Sequence, residues 1–187
     1  MDKKLLRQQL RIQRRAYPND KRLAASTNIA KKLFESDEYK NSDAVLVFIS
    51  TRIEVDTSLI IQRVLKDKKT LAAPKCNTSD TSMVFNVIHS SEDLEYGAYD
   101  IMEPKSYCET VIPTEKSLCI VPGLAYDING QRIGFGRGYY DRFLEKFVGI
   151  SCGVCFEEFI FNEIPAEPTD VPINMLVSQN RIRYFCY

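Results

Sequence analysis

The stretch Leu118–Leu144, LCIVPGLAYDINGQRIGFGRGYYDRFL, decides how the rest of the chain is read. It opens as a short apolar run, Leu118-Cys119-Ile120-Val121, the pattern of a strand buried on both faces. Pro122-Gly123 ends that run, because proline offers no donor to a ladder and glycine permits a turn. A polar turn follows at Asp127-Ile128-Asn129-Gly130. Gly134, Gly136 and Gly138 then alternate with Phe135 and Arg137, and Tyr139-Tyr140-Asp141-Arg142-Phe143-Leu144 reads as the opening of a helix. Strand, glycine loop and helix in that order predict a phosphate cradle.

The chemistry lies in the backbone. Glycines let successive N–H groups turn inward and let a ligand approach the chain closely. The first amides of the following helix have no internal partner and carry the positive end of its dipole. Arg132 and Arg137 add charge-assisted donors, and Asp141 is placed to hold a divalent cation that bridges phosphate oxygens. The loop lacks the Gly-Lys-Ser/Thr of a Walker A motif. It is not Gly-x-Gly-x-x-Gly either, since Tyr139 stands where the third glycine would be. On residues alone a flexible surface turn remains an alternative.

The runs Pro122-Gly-Leu-Ala-Tyr-Asp127 and Gly130-Gln-Arg-Ile-Gly134-Phe-Gly-Arg-Gly-Tyr-Tyr-Asp141 closely resemble the 5-formyltetrahydrofolate cyclo-ligase (5,10-methenyltetrahydrofolate synthetase) family. The resemblance extends from Lys3 to about Ser178. It implies ATP-binding positions at Lys3, Lys4, Leu5, Leu6 and Arg7. It implies more of them at Arg132, Ile133, Gly134, Phe135, Gly136, Arg137, Gly138, Tyr139 and Tyr140. It implies folate contacts at Ile49, Glu54, Phe135, Gly136, Arg137, Gly138 and Tyr139, and magnesium at Asp141 and Asn174, with Arg137 as the catalytic cation. One departure stands out. The family commonly has Asp-x-x-x-Asp before its final strand, and here Asp170-Val-Pro-Ile-Asn174 ends in an amide, which can coordinate Mg²⁺ but adds no charge.

With 187 residues one well-filled domain is expected. Lys+Arg and Asp+Glu both number 25, so no global charge draws the chain to nucleic acid or membrane. No apolar run approaches the ~20 residues of a membrane span. The N-terminus leads into an amphipathic segment rather than an apolar signal core, so a cytoplasmic location with six reduced cysteines is expected. Cys152-x-x-Cys155 has no second pair to complete a zinc site, and an i,i+3 pair in a strand points to opposite faces; both read as buried thiols. The lone His89 is given no role.

Residues 2–16 predict a helix with Leu5, Gln9, Ile12 and Ala16 on one face and the basic stripe Lys3, Arg7, Arg11, Arg14 on another, most of it read as solvated. Tyr17-Pro18 breaks it, and Asn19 or Asp20 can cap a second helix that turns Leu23, Ile29, Leu33 and Phe34 inward. Strands are expected at about 44–49, 70–74, 118–121, 150–155 and 175–178, with 83–88 nearer an edge. Ile49 and Glu54 follow the first strand, outside whose carboxyl end an α/β crevice lies. A carboxylate there suits the donor edge of a pterin; the plainer role is a helix-entry carboxylate near Thr57. Tyr99-Asp-Ile-Met-Glu-Pro104 resembles the family's Gly-Ile-x-Glu-Pro stretch. A long Pro- and Glu-rich connection is expected over 157–174.

The fold expected is α/β, a three-layer Rossmann-like, mostly parallel sheet with helices on both faces. The function implied is ATP- and Mg²⁺-dependent cyclisation of 5-formyltetrahydrofolate, with small-molecule partners (reduced folate and ATP), no nucleic acid and no membrane. Two other classes compete with it. One is a phosphosugar-acting enzyme of related architecture, the other a nucleic-acid-binding module using the basic N-terminal helix.

Overall fold

The computed structural model describes residues 2–97 and 101–185. Tyr99 and Asp100 of the Ile-x-Glu-Pro stretch lie outside the described residues. Helix α1 (Lys3–Ala16) begins at Asp2, whose Oδ1 accepts from the Lys4 amide at 3.1 Å. Helix α2 (Asn19–Glu35) has Pro18 at its cap position and no side-chain cap, so Asn19 and Asp20 sit inside its first turn rather than before it. The short α3 (Asp37–Asn41) is capped by Ser36 Oγ, which accepts from the Tyr39 amide at 3.2 Å.

Then come β1 (Ala44–Val47), α4 (Ser58–Lys66), β2 (Thr70–Cys76), β3 (Met83–Val87), β4 (Leu94–Tyr96), β5 (Met102–Pro104), β6 (Ser117–Val121), β7 (Ala125–Asp127) and β8 (Arg132–Ile133). After them follow α5 (Tyr139–Leu144), β9 (Ile150–Val154), β10 (Ile160–Phe161), β11 (Met175–Val177) and β12 (Ile182–Tyr184). The main sheet runs β12-β11-β9-β6-β1-β2-β3. Its five inner strands are parallel, while β3 and β12 close the edges in antiparallel pairs. The parallel α/β sheet is thus as expected, with β3 at an edge. Strand β1 stops at Val47, short of the expected Ile49, which frees Phe48 and Ile49 to turn toward the crevice.

Both faces of the central strands are covered. Neighbouring Cys119 and Ile120 point to opposite faces of β6 and neither is accessible. Helices α2 and α4 pack on each other and on β1, β2 and β11, while α5 packs on β3 with Phe143 and Phe85 4.8 Å apart. A second sheet, β10-β7-β8, lays Tyr126 over β9, where a Cβ on Gly153 would fall 2.7 Å from its ring. The Tyr126 hydroxyl donates to Val121 O at 2.8 Å, tying this hairpin to the end of β6. Cys152 and Cys155 are both buried free thiols, their pKa values pushed up by burial.

One face is the reverse of expectation. On α1 the basic side turns inward: Lys3 and Arg14 are 6% and 3% exposed, whereas Leu5 and Ile12 are 48% and 66% exposed. On α2 Ile29 and Leu33 are buried and Phe34 packs against the core as expected, whereas Leu23 is exposed and Ala25 joins the buried stripe. The connection 157–174 contains β10, and the chain adds β12 after the strand at 175–177. No described helix is long and apolar enough to cross a membrane.

A candidate active site between a basic helix and a glycine loop

A cavity of about 1090 Å³ opens beside the carboxyl ends of β1, β2 and β6. That volume lies at the top of the range for one small-molecule ligand, which leaves room for two substrates meeting end to end. Lys3, Arg7 and Arg11 reach it from α1, because a spacing of three and four residues keeps 3, 7, 10, 11 and 14 on one side of a helix. Lys3 pairs with Asp170 and lies 3.6 Å from Glu167, so α1 clasps the chain leading to β11. Arg11 Nη2 donates to Phe135 O at 2.9 Å, clasping the glycine loop. Arg7 lies beneath Gly136, and its buried Nε has no hydrogen-bond partner among the described residues. Lys4 and Leu5 are exposed, and neither they nor Leu6 lie in the wall. Three members of the basic stripe therefore face the cavity rather than the solvent, while Arg14 is buried against Gly123 O and Leu124 O.

Gly134 to Tyr140 form the cavity's glycine side. Gly136 has φ +96° and Gly138 has φ +68°, conformations that favour glycine; space around Gly134 is open. Gly138 is the cap residue of α5. Arg142 braces the loop, donating from Nη2 to Arg137 O at 2.7 Å and from Nε to Thr81 O at 3.0 Å. Arg137 is exposed along the wall and Tyr139 is buried in it. Ile133 is buried in β8 and does not line the cavity. Arg132, 6% exposed, donates from Nη1 to Val171 O at 3.0 Å and from Nη2 to Asp141 Oδ1 at 2.6 Å.

Ile49 and Glu54 stand on the β1 side of the same cavity. Glu54 is not the helix-entry carboxylate: its Oε2 accepts from the amide and the hydroxyl of Thr51, both at 2.8 Å. Asp56 instead accepts from the Ser58 amide at 2.9 Å. Burial lifts the Glu54 pKa above the usual carboxylate range, and the Thr51 bonds oppose that lift. Tyr140 also faces this end. Its hydroxyl is buried with no partner among the described residues, and burial, then the neighbouring Cys119, Glu54 and Cys76, push its pKa well up.

Asp141 lies in the wall, its Oδ1 shared by Arg132 and the Val171 amide. Asn174 does not join it. Its Oδ1 accepts from the Ser151 amide and hydroxyl, both at 2.8 Å, between β9 and β11 and outside the cavity wall. No group of three or more His, Cys, Asp or Glu that could hold a metal occurs among the described residues. Arg11, Arg142, Glu103 and Asp170 also line the cavity, although sequence reasoning gave none of them a role; Arg11 was visible as part of the basic stripe.

Known proteins resemble this chain in sequence and fold. The chain is 28% identical over 190 residues to mouse 5-formyltetrahydrofolate cyclo-ligase, covering 95% of this chain and 94% of the relative. It is 28% identical over 173 residues to the probable 5-formyltetrahydrofolate cyclo-ligase of Schizosaccharomyces pombe, covering 84% and 85% of the two chains. The NMR structure of Aquifex aeolicus 5,10-methenyltetrahydrofolate synthetase superposes with a TM-score of 0.89 at 32% identity, covering 100% of this chain and 94% of the other. A family model described as the 5-formyltetrahydrofolate cyclo-ligase family matches residues 1–179. With its glycine loop, basic helix and crevice carboxylate in one cavity, the chain belongs to the 5-formyltetrahydrofolate cyclo-ligase family.

Proposed function

We propose that this protein converts 5-formyltetrahydrofolate and ATP to 5,10-methenyltetrahydrofolate, ADP and phosphate. The observation that carries the reading is a single cavity with two chemically different ends. Lys3, Arg7, Arg132 and Arg137 gather around the glycine loop, and Ile49, Glu54 and Tyr140 gather on the β1 side. The cationic end suits a triphosphate and the other suits a flat heterocycle with N–H donors.

In the reaction, the formyl oxygen forms a bond to the γ-phosphorus while the bond from that phosphorus to ADP breaks. N10 then attacks the formyl carbon and gives up its proton, and the carbon–oxygen bond breaks to release phosphate. Each step asks mainly for alignment and charge neutralisation. Arg137 and the loop amides meet the charge on the transferring group, and Arg7, with its unpaired Nε, offers a further donor. Glu54 Oε1, left over by Thr51, takes an N–H of the pterin. Tyr139 packs at the junction.

Magnesium, if bound with ATP, would neutralise phosphate charge, and Asp141 is the residue that would help hold it. Asp141 fits it, since only Oδ1 is engaged by the protein among the described residues and this hard cation needs one or two carboxylates besides phosphate and water. Asn174 does not fit, its amide oxygen being held by Ser151. Incubation of the protein with 5-formyltetrahydrofolate, ATP and Mg²⁺, followed by absorbance of the methenyl product, tests the proposal. Product is expected only with all three present; product without nucleotide, or none from folded protein, overturns it.

A further inference from the structure

Glu103 is the buried charge in this cavity that the reaction above does not use. It sits in β5, is 7% exposed, and lines the cavity. Its Oε1 accepts one long bond, 3.4 Å, from the Cys76 amide at the end of β2. The Cys76 thiol is the other near donor, a weak one, and its pKa is pushed up to about 11 by burial and then by the Glu103 charge. No Lys or Arg pairs with Glu103 among the described residues; Lys75 donates to Pro104 O at 2.7 Å and lies 4.0 Å from Glu95 instead. A buried carboxylate normally has several donors or a cation; among the described residues this one has the single long bond from Cys76.

Glu103 lines the cavity, and the backbone of Gly97 passes so close to it that a Cβ there would fall 2.3 Å from Oε2. The sheet order fixes its neighbours: β2, which carries Cys76, lies beside β1, which leads to Ile49 and Glu54. Glu103 therefore stands at the Glu54 end, while Lys3 is clasped to Asp170 in the chain that leads to β11, three places from β1 across the sheet. A reduced pterin carries N–H groups on more than one edge: the ring amide, the amino group and the reduced-ring nitrogen. Glu54 spends one oxygen on Thr51 and cannot accept from all of them.

We infer that Glu103 is a second folate-binding carboxylate, accepting N–H donors of the reduced pterin that Glu54 leaves unmet. The inference rests on the proposed folate reaction. An aminopurine also carries an exocyclic amino group, so the test must separate the folate from the nucleotide.

The test uses the full chain with Glu103→Leu, which keeps the volume and removes both acceptors, and Glu103→Gln, which keeps one oxygen for the Cys76 amide. Calorimetric binding of 5-formyltetrahydrofolate without nucleotide, the KM for each substrate, and the thermal midpoint are measured. Folate Kd is expected to rise roughly 10-fold or more in Glu103→Leu and less in Glu103→Gln, with the KM for ATP within about twofold of the parent. Folate affinity unchanged in either folded variant overturns the inference, as does a loss confined to ATP or shared equally by both substrates. A parent protein that forms no methenyl product overturns the proposed function itself, whatever the variants do.

Discussion

Arg132 and Asp141 are joined at 2.6 Å across the mouth of the β8 strand and the first turn of α5, and the same guanidinium holds Val171 O at 3.0 Å. One side chain thus ties the glycine loop's two flanks to the segment that precedes β11. The ammonium of lysine is a point donor and cannot span two acceptors as a planar fork does. Arg132→Lys is therefore expected to lower stability by about 1–2 kcal/mol and to raise the KM for ATP more than that for folate. Urea unfolding together with separate substrate titrations checks this; an unchanged KM for ATP would leave the pair a structural brace only.

Arg137 lies between Gly136 and Gly138, and its carbonyl is pinned by Arg142 while its side chain borders the cavity. In the proposed reaction, removing its charge takes away stabilisation of the transferring phosphoryl group. Arg137→Ala is expected to reduce kcat by roughly 10²–10³-fold. Full turnover in that variant would show that the loop amides and the remaining cations suffice.

Glu54 gives a pH signature with a definite sign. Burial raises its folded-state pKa above the 4.5 of an ordinary glutamate, so the folded protein binds the proton more tightly than the unfolded chain does. The stabilising contribution of that proton is complete below the unfolded pKa and is lost as pH rises through the folded one. Unfolding free energy of the ligand-free protein should therefore fall as pH rises from the unfolded to the folded pKa, and Glu54→Gln should flatten the fall. The same variant should cost roughly 10- to 100-fold in kcat/KM for the folate. Unfolding curves at closely spaced pH values decide it; parallel profiles for the two proteins would mean that Glu54 is not the titrating group.

How much of this was legible in advance follows from the kind of signal each part carries. The buried run Leu118–Val121 and the glycines at 136 and 138 declare themselves, because a fully apolar strand and positive-φ positions restrict residue choice locally. Strand β12 did not, since Arg183 and Tyr184 beside Ile182 make a short, half-exposed edge without a clear alternation. The orientation of α1 was misread for a physical reason. Its buried side holds Lys3, Leu10 and Arg14, which hydropathy places outward. Arg14 is held there by the carbonyls of Gly123 and Leu124 and by the rings of Phe156 and Phe159 at 4.8 and 4.3 Å. Such burial is decided by tertiary acceptors and π faces, which one helix's sequence does not display. Asn174 lies outside the cavity wall for the complementary reason: its chemistry suits a metal, but its partners lie on the neighbouring strand.

Asp141 and Asn174 separate cleanly as experimental targets. Asp141 has one oxygen bound to Arg132 and lines the cavity, so on the proposed reading Asp141→Asn is expected to raise the Mg²⁺ concentration for half-maximal activity several-fold, because the metal would lose a carboxylate that lines the cavity. Asn174 receives the Ser151 amide and hydroxyl and donates its own amide back to Ser151 Oγ at 3.0 Å, outside the cavity. Asn174→Ala should therefore cost about 1–3 kcal/mol of stability, the penalty of stranding a part-buried donor pair, while leaving the Mg²⁺ requirement unmoved. Asn174→Asp should not lower that requirement either, for its carboxylate would inherit the Ser151 donors. Mg²⁺ titrations at saturating ATP and folate, run beside urea unfolding for all three variants, decide between the positions. A lowered Mg²⁺ requirement in Asn174→Asp, or a raised one in Asn174→Ala at unchanged stability, would place Asn174 at the metal after all. Unaltered dependence in Asp141→Asn would leave the cation to the nucleotide's own oxygens.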